Sequence, residues 1–179
     1  MRFEGAATRN PLREKTIGPS SPMITSSDIV EIARTFRMRA LITVFIMAVL
    51  LNYLWELAQA PLYVGMEDYH AGVFRHCFVA SLGDGIIVLL IVVAGWITLR
   101  RWDWFEQADV LGYVVMVTAG LVMAVLIEWL GVHVLKRWEY TGKMPTAPGL
   151  GIGLVPIAQM LFLPPLIFRI VAVLDQGKT

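Results

Sequence analysis

The sequence predicts an all-α fold, a four-helix transmembrane bundle preceded by an N-terminal cytoplasmic tail and a short interfacial helix. Three observations carry this. The 179 residues are 57% hydrophobic and only 16% charged, whereas soluble domains are about 45–50% apolar and about 25% charged. The mean hydropathy is +0.66. Four apolar stretches each exceed the roughly 18 residues needed to cross a bilayer, and with their loops they use up the chain. A soluble globular enzyme is thereby disfavoured, and one bundle leaves no room for a second domain. A net charge of +1 gives no case for nucleic acid as partner. The single cysteine, Cys77, cannot form an intrachain disulfide and does not define a redox compartment.

Residues 1–27 mix Pro, Ser, Thr and charges without apolar periodicity and read as a flexible cytoplasmic tail, since the apolar core of a cleavable signal would lie nearer Met1. From Asp28 the pattern changes. Asp28 and Glu31 look like a helix start, Ile29, Val30, Ile32 and Ala33 are apolar, and Arg34, Arg37 and Arg39 close a segment 28–39 suited to an interfacial amphipathic helix. The membrane domain covers 40–173, with spans at about 40–63, 76–99, 110–135 and 150–172, and 174–179 form a second short tail. Pro164 and Pro165 fall inside the fourth span, where they remove two backbone donors and favour a kink. Trp102, Trp104 and Trp138 fall at span ends, a common place for indole anchors.

Orientation follows from Lys and Arg. With the N-terminus inside, eleven of the fifteen are cytoplasmic, and only Arg75, Lys136, Arg137 and Lys143 lie outside. Both termini are therefore expected in the cytoplasm, in a bacterial inner membrane.

That orientation places the intramembrane polar residues by depth. Asn52 and Glu56 lie at i and i+4 in the outer half of the first span, with Gln59 a turn further out. His76, Ser81 and Asp84 descend the second span, Asp84 about 12 Å below His76. Glu128 and His133 lie near the outer end of the third, and Gln159 two to three turns into the fourth. All four helices thus bring polar groups to one depth. A carboxylate in hydrocarbon costs about 2.5–3.5 kcal/mol on insertion scales, so three at a shared depth should face each other or water. At least one is expected to carry a proton at neutral pH and to serve as a general acid. A purely structural role is the alternative, in which Asn52, Glu56 and Gln159 fix helix packing by hydrogen bonds.

The other features are less informative. His76 and His133 are weak metal or haem candidates, as are Asp68 and His70, because no spacing matches a metal motif, and neither a metal nor another cofactor is expected. The loop KRWEYTGKMPTAP, Lys136 to Pro148, is aromatic and basic and suits the cap of a cavity, with Tyr140 reaching a bound molecule, or an ordinary interfacial connection. GLGIGLVP, from Gly149, follows no strand and lacks a lysine, so it is not a phosphate loop; Gly149, Gly153, Gly83 and Gly120 read as small residues permitting close helix approach.

The stretch Asn52-Tyr53-Leu54-Trp55-Glu56, an N-x-x-W-E pattern, resembles a segment of integral-membrane terpene cyclases, which have more spans than this chain. The resemblance implies an isoprenoid substrate and a proton donor at Glu56, with Asp84 or Glu128 as acidic partner. Together with RW-x-Y and G-x-G-L-x-P-x-x-Q, the set also looks like small bacterial multi-pass membrane proteins of unassigned function.

The leading expectation is therefore acid-catalysed cyclisation, isomerisation or hydration of a lipid-soluble substrate. Glu56, Asp84, Glu128 and Asn52 would be catalytic, with Trp55, Trp129, Gln159 and Tyr140 contacting substrate. The alternative is a small transporter, or an accessory subunit of a larger membrane complex or homo-oligomer, whose carboxylates relay protons or bind a ligand.

Overall fold

The computed structural model describes residues 25–176. Four helices follow in order: α1, Ser26–Gln59; α2, Ala71–Leu99; α3, Val110–Trp129; and α4, Leu154–Gln176. Among the described residues there are no strands, only two isolated bridges between loops. The 29 residues of α2 rise about 43 Å. Residues 100–109, at most about 36 Å when fully extended, cannot carry the chain back to the starting end, so α3 runs antiparallel to α2. Each helix packs on the next and α4 returns to α1, closing a ring. All four are long and apolar enough to cross a membrane. Between 22% and 44% of each apolar window is buried within the protein. The remaining apolar surface, including Leu50, Leu54, Phe78, Ile86, Leu126 and Phe162, is the kind that hydrocarbon rather than water solvates.

α1 starts at a capping box. Thr25 Oγ1 accepts from the Asp28 N–H, and the Asp28 carboxylate accepts from the Thr25 N–H at 2.8 Å. These hydrogen bonds hold the Asp28 carboxyl below its ordinary value. The helix thus starts at Ser26, two residues before Asp28, with Thr25 as its cap. Segment 28–39, expected as an interfacial helix leading into the membrane, is continuous with the first span, because no Gly or Pro interrupts residues 26–59. Pro61 then turns the chain through a single 3-10 turn, Ala60–Leu62. The expected tail up to residue 24, and residues 177–179 of the second, lie outside the described residues.

The half of the bundle around Val92, Trp104 and Phe168 has an apolar core. Trp104, expected as an interfacial anchor, is instead buried, packed edge-on to Phe105 and Phe168, and its indole N–H donates to the Val92 carbonyl at 3.0 Å. It lies where a side chain at position 95 would be, so only Gly95 lets the ring seat against α2. Trp102 stays at the end of the bundle beside Trp96 and under Arg37.

The fourth span begins at Leu154 rather than 150. Gly149 and Gly151 have φ of 78° and 61°, a left-handed backbone that belongs to a loop and favours glycine. Gly149 and Gly83 meet no neighbour, so neither mediates close approach. Gly120 does: a Cβ there would lie 2.5 Å from the Met160 carbonyl oxygen. That carbonyl is the one whose helical partner at position 164 is a proline, so α3 covers a group that α4 cannot satisfy. Helix α4 remains continuous through Pro164 and Pro165.

Candidate functional site

The polar residues of three helices meet. Asn52, Glu56 and Gln59 form one stripe on α1, facing Asp84 of α2 and Gln159 of α4. The Gln159 amide nitrogen lies within donating distance of Asn52 Oδ1 (2.8 Å), Asp84 Oδ2 (3.0 Å) and Glu56 Oε1 (3.2 Å). Its oxygen accepts from Gln59 Nε2 at 3.1 Å, and Gln59 also donates to Glu56 at 2.7 Å. Asn52 is fully buried and spends its own N–H on the Ala48 carbonyl. One amide NH₂ has two hydrogens. Three oxygens compete for them, so the carboxylates of Glu56 and Asp84 are bound into one set rather than two independent groups.

Glu128 enters from another direction. After Trp129, α3 widens into a π-helical turn, Leu130–Val134, where Leu135 N–H bonds the Leu130 carbonyl at 2.8 Å. Such turns often mark functional positions. With Lys136 at φ 48°, the turn folds the chain back over the end of α3. The Trp138 ring occupies the space that a side chain at 131 would need, which only Gly131 leaves free. Tyr140 is thereby delivered onto Glu128, to which its hydroxyl donates. The same oxygen accepts from Gly153 N–H at 2.9 Å. Burial and this bond to Glu128 raise the Tyr140 hydroxyl above its ordinary value, and burial near the carboxylates does the same for Tyr63. Both phenols therefore stay protonated, and Tyr140 is the one that donates to a carboxylate.

The loop before α2 and the loop before α4 close over this point. Tyr63 pairs with Tyr140, with Val64 N–H bonded to Glu139 O and Thr141 N–H to Leu62 O. Beneath them lies a cavity of about 390 Å³, within the range of small-molecule sites. Glu56, Gln59, Asp84, Glu128, Trp138 and Gln159 supply its polar wall. Its mouth lies on the flank between α2 and α3, at exposed Gly83 and Ile86 and half-buried Ile127.

Six of the residues singled out by sequence converge here: Asn52, Glu56, Asp84, Glu128, Tyr140 and Gln159. The two tryptophans do not. Trp129 is 45% exposed, beside His133, and Trp55 packs against the core, outside the cavity lining. His76 lines the cavity, while His133 engages the Leu150 carbonyl at 2.8 Å. His70 caps α2, accepting from Gly72 N–H. Among the described residues no group of three or more His, Cys, Asp and Glu side chains could hold a metal ion. The sequence places Gln59 beside Asn52 and Glu56 without giving it a role, and does not point to Tyr63 or Trp138 as wall residues. Gln59 carried a signal, seven residues after Asn52 on one helix face; the other two are placed only by the loop. Comparison with protein-family models, curated proteins and solved structures finds no match, and none extends the five-residue likeness at Asn52 to Glu56.

Proposed function

We propose that the protein is a membrane-embedded enzyme that moves protons to and from a lipid-soluble substrate, with Glu56 as donor and Asp84 sharing the proton through the Gln159 set. The observation that supports this best is two carboxyl groups from different helices bound to one amide, in the wall of a cavity whose mouth is on the apolar flank. Proton donors and acceptors held together in a water-poor space are what general acid–base catalysis requires. Glu128, with Tyr140 donating to it, supplies a second proton-handling pair at the other side of the cavity. Cyclisation, isomerisation or hydration fits such a set, and the N-x-x-W-E likeness adds an isoprenoid as the substrate to try first. The Lys and Arg distribution adds a plasma-membrane placement with both termini cytoplasmic.

A proton-conducting transporter finds less support. The half of the bundle away from the carboxylates is filled, among the described residues, by an apolar cluster that includes Ile91, Trp104, Phe105 and Phe168. The test is a comparison of lipid extracts from cells expressing wild-type protein and Glu56→Gln at equal membrane levels. A lipid whose amount changes with the wild type should revert with Glu56→Gln; unchanged turnover of that lipid by the variant removes the proton-donor role.

A further inference from the structure

Two polar atoms on the cavity wall are buried and complete no hydrogen bond among the described residues: Gln59 Oε1 and Trp138 Nε1. Gln59 is 3% exposed, and its orientation is set because its nitrogen serves Glu56 and Gln159, which leaves the oxygen over. Trp138 Nε1 completes no hydrogen bond among the described residues, although the Glu128 carboxylate and the Tyr140 hydroxyl lie close to it. An unmade hydrogen bond at a buried group costs about 1–3 kcal/mol, so both atoms call for something inside the cavity. The lining contains three carboxyl residues, Glu56, Asp84 and Glu128, and no Lys or Arg. Position 83 is the opening: a Cβ there meets nothing within 4 Å, although the residue lines the cavity and is exposed on the apolar flank.

We infer that the cavity takes the hydroxyl head of a neutral single-chain lipid, accepting from Trp138 Nε1 and donating to Gln59 Oε1, while its tail leaves sideways between α2 and α3 past Gly83. This rests on reading the cavity as a site for a lipid-soluble molecule and names the class of that molecule. A hydroxyl is the simplest head that both donates and accepts. A carboxylate or phosphate head accepts only and meets three acidic side chains, with His76 as the one basic side chain in the lining and no Lys or Arg to offset them. An ammonium head suits the acids but cannot accept from Trp138. The tail needs no protein groove, because the flank beyond Gly83 and Ile86 is itself apolar.

Photolabelling tests this on the full-length protein in lipid nanodiscs, with hexadecan-1-ol bearing a mid-chain diazirine as the probe and peptide mapping as the readout. Adducts are expected at Ala80 to Ile87 and around Ile127. Unlabelled hexadecan-1-ol should displace the probe at least about tenfold better than hexadecanoate or hexadecylamine, and Trp138→Phe should weaken that displacement by about tenfold, the value of one hydrogen bond. Gly83→Phe should abolish labelling at the rim while Gly83→Ala keeps it. If Gly83→Phe fails to fold by circular dichroism, Ile86→Trp on the same rim provides the block. Adducts scattered over other apolar faces, equal displacement by hexadecanoate, or tighter binding of hexadecylamine would overturn the inference. Labelling is independent of turnover. A labelled cavity with lipid extracts insensitive to Glu56→Gln leaves the site standing and overturns only the catalytic reading.

Discussion

Replacing Gln159 by Leu removes the residue that ties three helices together while keeping a side chain of similar length. At any moment its amide donates two hydrogen bonds to the oxygens of Asn52, Asp84 and Glu56, and it accepts one from Gln59. Interhelical hydrogen bonds in membrane proteins average about 0.6 kcal/mol and reach about 1.7, so three of them amount to about 2 kcal/mol, with about 5 as the upper end. The larger figure is approached only if Glu56 and Asp84 find no substitute donor. Unfolding of the purified protein in mixed micelles with increasing SDS, followed by tryptophan fluorescence, measures the loss. A double-mutant cycle with Asn52→Leu should return a coupling of about 0.6–1.7 kcal/mol for the 2.8 Å bond. A Gln159→Leu protein within about 0.5 kcal/mol of wild type would refute the reasoning, because that is the range of substitutions that touch nothing.

Two further outcomes are expected. Gly120→Ala should destabilise by about 1–3 kcal/mol, since its Cβ would press on the Met160 carbonyl between packed helices; Gly83→Ala, with open space, should be neutral or stabilising by up to about 1 kcal/mol. The same unfolding measurement separates the two, and equal effects would show that α3 and α4 are not in close contact at Gly120. In the loop between α2 and α3, burial and the nearby Asp175 and Asp103 raise the Glu106 carboxyl above its ordinary 4.5. A raised folded value means that the folded state holds the proton more tightly, so its contribution is present below the ordinary value and is lost as pH rises through the raised one. Glu106→Gln should match wild-type stability at about pH 4 and exceed it at about pH 7.5, as read by thermal unfolding at both; a gain that is the same at both values would contradict this origin.

The spans were legible because crossing a bilayer needs an unbroken apolar run, and composition along the chain states where such runs lie. Depth was legible for the same reason: Asn52, Glu56, Asp84, Glu128 and Gln159 could be placed along their helix axes by counting residues, and four of them do share one hydrogen-bonded set. Rotation was not legible. Mean apolarity around α2 and α3 is too uniform for a sequence to say which way each helix faces, so Trp129 was placed toward the cavity although it faces outward. Trp104 was misplaced for a related reason, since a span-end indole either anchors at the interface or plugs a notch, and the notch at Gly95 exists only after packing.

By itself, the sequence determined the class of the protein, the four helices and the depth at which its few charges lie, because the hydrophobic effect acts on each segment independently of its neighbours. Only the tertiary structure decided that Glu56 and Asp84 share the Gln159 amide, that the π turn and Gly131 fold Trp138 and Tyr140 back to Glu128, and that the cavity opens at Gly83. Those facts depend on how helices rotate and close on one another, which is set by side chains meeting from segments up to 107 residues apart in the chain.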